Sequence, residues 1–244
     1  HDALRIWLGT PPPGLPTSGD PLRVLRDTVE ALTAPRNESV AGLPPLTGGM
    51  VGYLGYELVR RFERLPSHAE DDLGVPELGM MLATDLVVLD HFEGSAILVA
   101  NAILPEAGAS NGDWDAKVAA AYHQAVGRLD AMTTALSRPT PPMVSTVERV
   151  PIDGVVSRTV EGAFPKAVAE AKEAIRAGEC FQIVLSQRFE RDTTADPLDV
   201  YRVLRTTNPS PYMYLLRFDD FDIVGSSPEP HLKVSRGNDG IRRA

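Results

Sequence analysis

The sequence predicts an α+β fold, and three observations carry that reading. Two apolar runs, "MMLATDLVVLD" and "SAILVAN", flank a glycine-containing turn near residues 91–94, the mark of a hairpin. Two helices open on the same Asp-Pro-Leu start, at Asp20 and at Asp196. A third block, "YMYLLRF", "DDF" and "DIVGSS", reads as strand, turn and strand. Helices and strands in this order suit antiparallel sheet covered by helices.

Taken in order, residues 3–8 alternate weakly and predict a strand, and "TPPPGLPTSG" is a proline-rich loop. "DPLRVLRDTVEALTA" predicts a helix with Asp20 as N-cap and Pro21 at its first position. Leu22, Leu25, Val29 and Leu32 recur at helical spacing and form its expected buried stripe. "GLPPL" breaks the chain before "TGGMVGYLGYELVRRFERLP", a short glycine-rich strand expected to turn into a helix from Glu57 to Leu65. After the hairpin, "DWDAKVAAAYHQAVGRLDAMTTALS" reads as one long helix, and the proline-rich 137–157 as a linker. From Val160 to Ala177, Phe164, Val168, Ala171 and Ile175 step 4-3-4 along a helix that Gly178 closes. "CFQIVLSQRFE" predicts a strand with Phe181, Ile183 and Leu185 on one face and Gln182, Val184 and Ser186 on the other. "PLDVYRVLRTT", capped by Asp196, is the last helix. These elements divide into a first domain, 1–136, the linker 137–157, and a second domain, 158–244.

At 244 residues, with 43% hydrophobic and 23% charged residues, the chain is an ordinary globular protein. A chain of this length buries roughly 70–75% of its unfolded surface. The net charge of −9 repels phosphate backbones, so nucleic acid is not an expected partner, although a few local cations suffice for a small anion. Cys180 is the only cysteine and the five histidines are scattered, so neither a disulfide framework nor a ligand-spaced metal motif is present. No apolar run reaches about 18 residues and no signal peptide opens the chain, which points away from the membrane and to the cytoplasm. The start at His1, in what reads as the tail of a strand, suggests a fragment.

Three stretches invite chemistry. "GGMVGYLGYE" has glycines at 48, 49, 52 and 55 but neither the P-loop Lys-Ser/Thr nor GxGxxG spacing. Its simplest reading is close packing of backbone against sheet, with Tyr53 and Tyr56 filling core or interface. In "GSSPE", small residues and a proline leave Glu229 at a sheet edge, where a carboxylate faces either a cleft or plain solvent. In "NPSPYMYLL", Pro209 and Pro211 form a stiff elbow ahead of Tyr212, Met213 and Tyr214.

Jointly, "GGMVGYLGYELVRRFERLP", "AGECFQIVLSQRF" and "NPSPYMYLL…IVGSSPE" resemble the large subunits of anthranilate synthases, chorismate-utilising enzymes of tryptophan synthesis. The resemblance runs through nearly the whole chain. It implies part of a layered β-sandwich flanked by helices, with a regulatory first domain lacking its first strands and the opening portion of a chorismate-binding domain. It implies amination of chorismate at C2 with loss of the C4 hydroxyl, followed by elimination of pyruvate. Glu229 matches the general acid for the departing hydroxide, with a pKa raised by burial. Gln182 matches the position where water-activating relatives carry a lysine; an uncharged amide suits ammonia, which needs no base. The segment Asn208, Pro209, Ser210, Pro211, Tyr212 and Met213 matches the wall of a tryptophan inhibitor pocket, preset by its prolines and offering a polarisable surface to an indole. The serine motif that completes this pocket in the family falls upstream of His1.

The resemblance further implies Mg2+ as a Lewis acid on a chorismate carboxylate, and a glutamine amidotransferase subunit that delivers ammonia. The metal ligands, substrate loop and catalytic histidine of the family fall beyond Ala244, so these residues alone are expected to lack turnover. Pro230 and His231 depart from the small and aliphatic residues that follow the glutamate in the family. Aminodeoxychorismate synthase, of the folate branch, is the alternative enzyme, and a non-catalytic tryptophan-binding remnant the alternative of another class. An unfolded remnant with exposed sheet edges is a third.

Overall fold

The computed structural model describes residues 10–34, 42–66, 70–104, 114–140, 153–236 and 241–243. The strand expected at residues 3–8 and most of the 137–157 linker lie outside them. By spatial clustering the chain divides into two units, His1–Pro142 and Met143–Ala244. The whole is an α+β arrangement, and every ladder among the described residues joins two antiparallel strands.

In the first unit, helix α1 (Pro21–Leu32) starts as its sequence dictates. Asp20 sits in extended conformation, and its carboxylate accepts the N–H groups of Leu22 and Arg23, both at 3.1 Å. The buried stripe is rotated from the one expected. Pro21, Val24 and Thr28 are buried, whereas Leu22, Leu25 and Leu32 are half-covered and Val29 is exposed. The leucine spacing gave the helical period correctly, but the neighbouring strand meets the adjacent face, and a threonine there carries no hydropathy signal.

Strand β1 (Gly49–Leu54) pairs with β2 (Leu78–Ala83), and β3 (Asp85–Asp90) with β4 (Ser95–Ala100). The hairpin with its turn at 91–94 is thus present. The run read as one apolar strand divides at Thr84, so that its first half pairs back onto β1. Asn101 fastens the two ladders, its side-chain N–H groups donating to the carbonyls of Thr47 (2.6 Å) and Thr84 (2.8 Å). Helix α2 (Trp114–Leu136) packs on β4, and its Arg128 reaches Asp85 at 2.9 Å and the Asn101 carbonyl at 2.7 Å.

The glycine-rich stretch behaves as close backbone packing. A Cβ on Gly52 would lie 1.9 Å from the carbonyl oxygen of Gly79 on β2. The helix expected from Glu57 to Leu65 is instead a 3-10 turn, Tyr56–Arg61, with Leu58 buried. Six residues bounded by an extended Gly55 are too few to develop α-helical ladders. The Arg60 guanidinium folds back on Glu57 and on the Leu65 carbonyl, while Arg61 bridges Asp20 and Glu77, both at 2.9 Å. Tyr53 donates its hydroxyl to the Pro76 carbonyl at 2.8 Å, and Tyr56 is 84% exposed, so it fills no core among the described residues.

In the second unit, α3 (Ala163–Arg176) follows its predicted span and Gly178 adopts φ +81° just past its end. Strand β5 (Val156–Ser157) pairs with β6 (Phe189–Glu190). The longer strand expected over "CFQIVLSQRFE" is not formed. Residues 180–188 have no ladder partner among the described residues, and Phe181 is fully exposed. Alternation sets which side chains share a face, but a strand needs a neighbour for its N–H and C=O groups, and here the pairing begins only where the Arg188 carbonyl accepts the Arg158 N–H at 3.0 Å and continues through Phe189 and Glu190. Helix α4 (Pro197–Thr207) packs against both strands of the hairpin β7 (Tyr212–Arg217) and β8 (Asp222–Ser227). The Phe218 N–H donates to the Phe221 carbonyl across the turn, under stacked rings 4.9 Å apart. Two further short strands, β9 (Ser235–Arg236) and β10 (Arg242–Arg243), pair near the end.

Candidate functional site

The candidate site grows from the register of one hairpin. Because Arg217 faces Asp222 across the turn, Met213 falls opposite Ser226 and Tyr212 opposite Ser227. Two of the sequence motifs, the proline elbow and "GSSPE", are thereby placed side by side at the open end of β7 and β8.

The elbow begins where α4 stops. Asn208 leaves helical geometry at φ −139°, ψ 65°, and its N–H still donates to the Leu204 carbonyl at 2.8 Å. Pro209 and Pro211 bring no N–H, so side chains take over the hydrogen bonding that a ladder would otherwise supply. The Ser226 hydroxyl donates to the Asn208 carbonyl at 2.9 Å, and the Ser210 hydroxyl donates to the Ser227 carbonyl. Ser227 in turn donates its hydroxyl to the backbone carbonyl of Glu229 at 3.1 Å. Tyr212 and Tyr214 stand on one face of β7, both more than two-fifths exposed, with Met213 and Leu215 better covered on the other. The Tyr214 ring lies over Gly225, where a Cβ would come within 2.1 Å of its Cζ.

Helix α4 is fixed at both ends of this arrangement. Asp196 caps it by accepting the Leu198 N–H at 2.7 Å, and also takes the Arg217 guanidinium at 2.9 Å. The Leu198 N–H above all, with Arg217 adding to it, holds the Asp196 carboxyl below its ordinary range, while burial opposes them. At the β5–β6 ladder, the hydrogen bonds of Arg158 and then Arg188 likewise hold the Glu190 carboxyl low.

Of the residues singled out by sequence, Asn208 to Met213 and Glu229 are thus joined through the end of β8. Glu229 is exposed in the turn after that strand. Gln182 lies in the unpaired extended segment and is also exposed; among the described residues no hydrogen bond links it to Glu229. Sequence reasoning treated Ser226 and Ser227 only as small residues. Counting the hairpin register back from the "DDF" turn would have set them opposite Met213 and Tyr212, with their hydroxyls beside the elbow.

The described residues contain no group of three His, Cys, Asp or Glu placed to hold a metal ion, so they do not by themselves fit a magnesium site. No helix among them is long and apolar enough to cross a membrane.

Comparisons with known proteins agree on one family. The family model for chorismate binding enzymes matches residues 12–241. The chain is similar to anthranilate synthase component 1 of Mycolicibacterium smegmatis, 49% identical over 243 residues, covering 97% of this chain and 44% of that protein. The protein of the same name from Streptomyces coelicolor is 42% identical over 233 residues, covering 92% of this chain and 42% of its own length. Among solved structures, anthranilate synthase component I from Streptococcus pneumoniae superposes with a TM-score of 0.63 at 30% identity, covering 90% of this chain and 46% of that one. The chain therefore spans less than half the length of the curated relatives it matches.

Proposed function

The chain belongs to the family of chorismate binding enzymes, and we propose that it serves as the large component of an anthranilate synthase. In this reading ammonia adds to C2 of chorismate, the C4 hydroxyl leaves, and pyruvate is then eliminated to give anthranilate. The observation that carries it is 49% identity across almost the whole chain with proteins of that name. The local geometry of the elbow and the Glu229 turn is compatible with it.

Glu229 acts as the general acid that protonates the departing hydroxide. A carboxyl holds a proton near neutrality only when burial or neighbouring anions raise its pKa. That role therefore requires bound substrate, with its own carboxylates, to screen Glu229 from water. Gln182 faces the ring as a neutral amide and leaves ammonia as the nucleophile. Residues 1–136 form the regulatory part, 137–157 the linker, and 158–244 the opening of the chorismate-binding part. Asn208 to Met213 receive tryptophan as feedback inhibitor. A glutamine amidotransferase subunit supplies the ammonia. Magnesium would neutralise a chorismate carboxylate, but the described residues offer it no ligand set.

Product analysis tests the reaction. Given chorismate, ammonium and magnesium, a large component that carries residues 1–244 together with the family's metal ligands and substrate loop is expected to release anthranilate and pyruvate in equal amounts. An aminodeoxychorismate product would move it to the folate branch, and no aminated product at all would refute the reading. Calorimetry tests the inhibitor site separately. A large component in which the family's serine motif completes the pocket is expected to bind tryptophan, and Pro211→Ala to weaken that binding by loosening the preset wall. Equal affinity in parent and variant would exclude the elbow from the pocket.

A further inference from the structure

We propose that Ser210 and Ser227 are positioning residues that set the place of Glu229, acting as a two-step hydroxyl tether from the elbow to the turn. The proposal rests on the reading of Glu229 as the general acid.

Strand β8 ends at Ser227, and the next residue, Pro228, has no N–H to continue a ladder. Glu229 is exposed, so packing does not hold it either. What holds it is the Ser227 hydroxyl, which donates to the Glu229 carbonyl at 3.1 Å. A hydroxyl has one proton to donate, so this bond fixes the Ser227 rotor as well as the turn. The carbonyl of the same Ser227 is held by the Ser210 hydroxyl. Ser210 stands between Pro209 and Pro211, which restrict its backbone, so the anchor is stiff. Ser226 closes the arrangement from the neighbouring position by donating to the Asn208 carbonyl at 2.9 Å. Successive strand residues point to opposite faces, so Ser226 and Ser227 leave β8 on opposite sides. The place of Glu229 is therefore referred to the elbow as well as to the end of the sheet.

This arrangement separates positioning from stability. When Ser227 becomes alanine, the exposed Glu229 carbonyl is solvated by water, so little folding free energy is lost. The turn, however, gains freedom, and a misplacement of about 1 Å at an acid is enough to slow chemistry by roughly 100-fold.

The test uses as parent a large component carrying residues 1–244 with the family's metal ligands and substrate loop, then Ser210→Ala, Ser227→Ala, the conservative Ser227→Thr, and Ser137→Ala as a control that removes a hydroxyl bond at the far end of α2. Two readouts are taken: kcat and KM for anthranilate formation, and hydrogen exchange at the amides of Glu229, His231 and Leu232. Both Ser→Ala variants of the tether are expected to lower kcat by about 10- to 100-fold with KM near the parent's. Their exchange is expected to rise by about fivefold, while Ser227→Thr and Ser137→Ala stay near parent. Parental kcat in Ser227→Ala, or a threonine variant as slow as the alanine one, would overturn the proposal. Should the parent form no aminated product, the proposed reaction fails on its own account, and exchange alone decides the tether. Faster exchange in the alanine variants would uphold it, and exchange equal to the parent's would overturn it.

Discussion

Gly52→Ala is expected to be the most damaging single methyl group that can be added to this chain's glycine-rich stretch. The new Cβ would stand 1.9 Å from the Gly79 carbonyl oxygen, 2.8 Å from the Met80 Cα and 2.9 Å from the Gly79 carbonyl carbon. All three atoms are backbone of the paired strand, so no rotamer change relieves the overlap. Ordinary contact begins near 3.4 Å, so β1 and β2 would have to part locally by about 1.5 Å. Hydrogen bonds at the site do not survive such a shift. Overpacking costs about 1–3 kcal/mol, and two lost ladder bonds about 1 kcal/mol each, so the expected loss is about 4 kcal/mol. For a unit of this size that corresponds to a fall in Tm of roughly 12 °C. Calorimetry, with hydrogen exchange at β1 and β2 to locate the effect, measures it. Gly225→Ala is the internal comparison. Its Cβ would meet the Tyr214 ring at 2.1 Å, but that ring is 42% exposed and swings aside, for an expected cost of about 1 kcal/mol. A Gly52→Ala loss below that of Gly225→Ala would refute the close-packing argument.

Gly127→Ala should act in the opposite direction. Gly127 lies exposed inside α2 with open space where its Cβ would go, so alanine is expected to stabilise by about 1 kcal/mol, read as a higher denaturant midpoint. Acid should weaken the second unit. Glu190 and Asp196 have carboxyls held low by Arg158 with Arg188 and by the Leu198 N–H with Arg217, respectively. Groups depressed in the folded state contribute stability above their unfolded pKa and lose it as pH falls through the folded one. Denaturant midpoints should therefore drop as pH descends through and below the usual carboxylate range, and Glu190→Gln should flatten that slope. An unchanged slope in Glu190→Gln would show that its two arginines do not favour the ionised form.

Much of the local structure was legible because it depends on near neighbours. Asp20 and Asp196 with a proline behind each mark helix starts, and both caps are made as expected. The turn around 91–94 and the "DDF" turn fix two hairpins, again by local chemistry. What was not legible depends on distant partners. Alternation in "CFQIVLSQRFE" describes a two-faced extended segment, yet pairing reaches only Phe189 and Glu190. The stripe on α1 turned toward Val24 and Thr28 because the packing partner, not the leucine count, decides which face is covered. In the candidate site the elbow and Glu229 were legible as separate motifs. Their junction through Ser210, Ser226 and Ser227 was not, since hydroxyl bonds between segments some 17 residues apart leave no periodic trace.

In the proposed amination of chorismate, Glu229 is the proton donor. The most direct measurement is kcat for ammonium-dependent anthranilate formation by a large component carrying residues 1–244 with the family's metal ligands and substrate loop, and by its Glu229→Gln variant, alongside chorismate affinity in each. If Glu229 is the proton donor, kcat falls by about 10²- to 10⁴-fold with chorismate binding retained. A variant that turns over at the parental rate would contradict it.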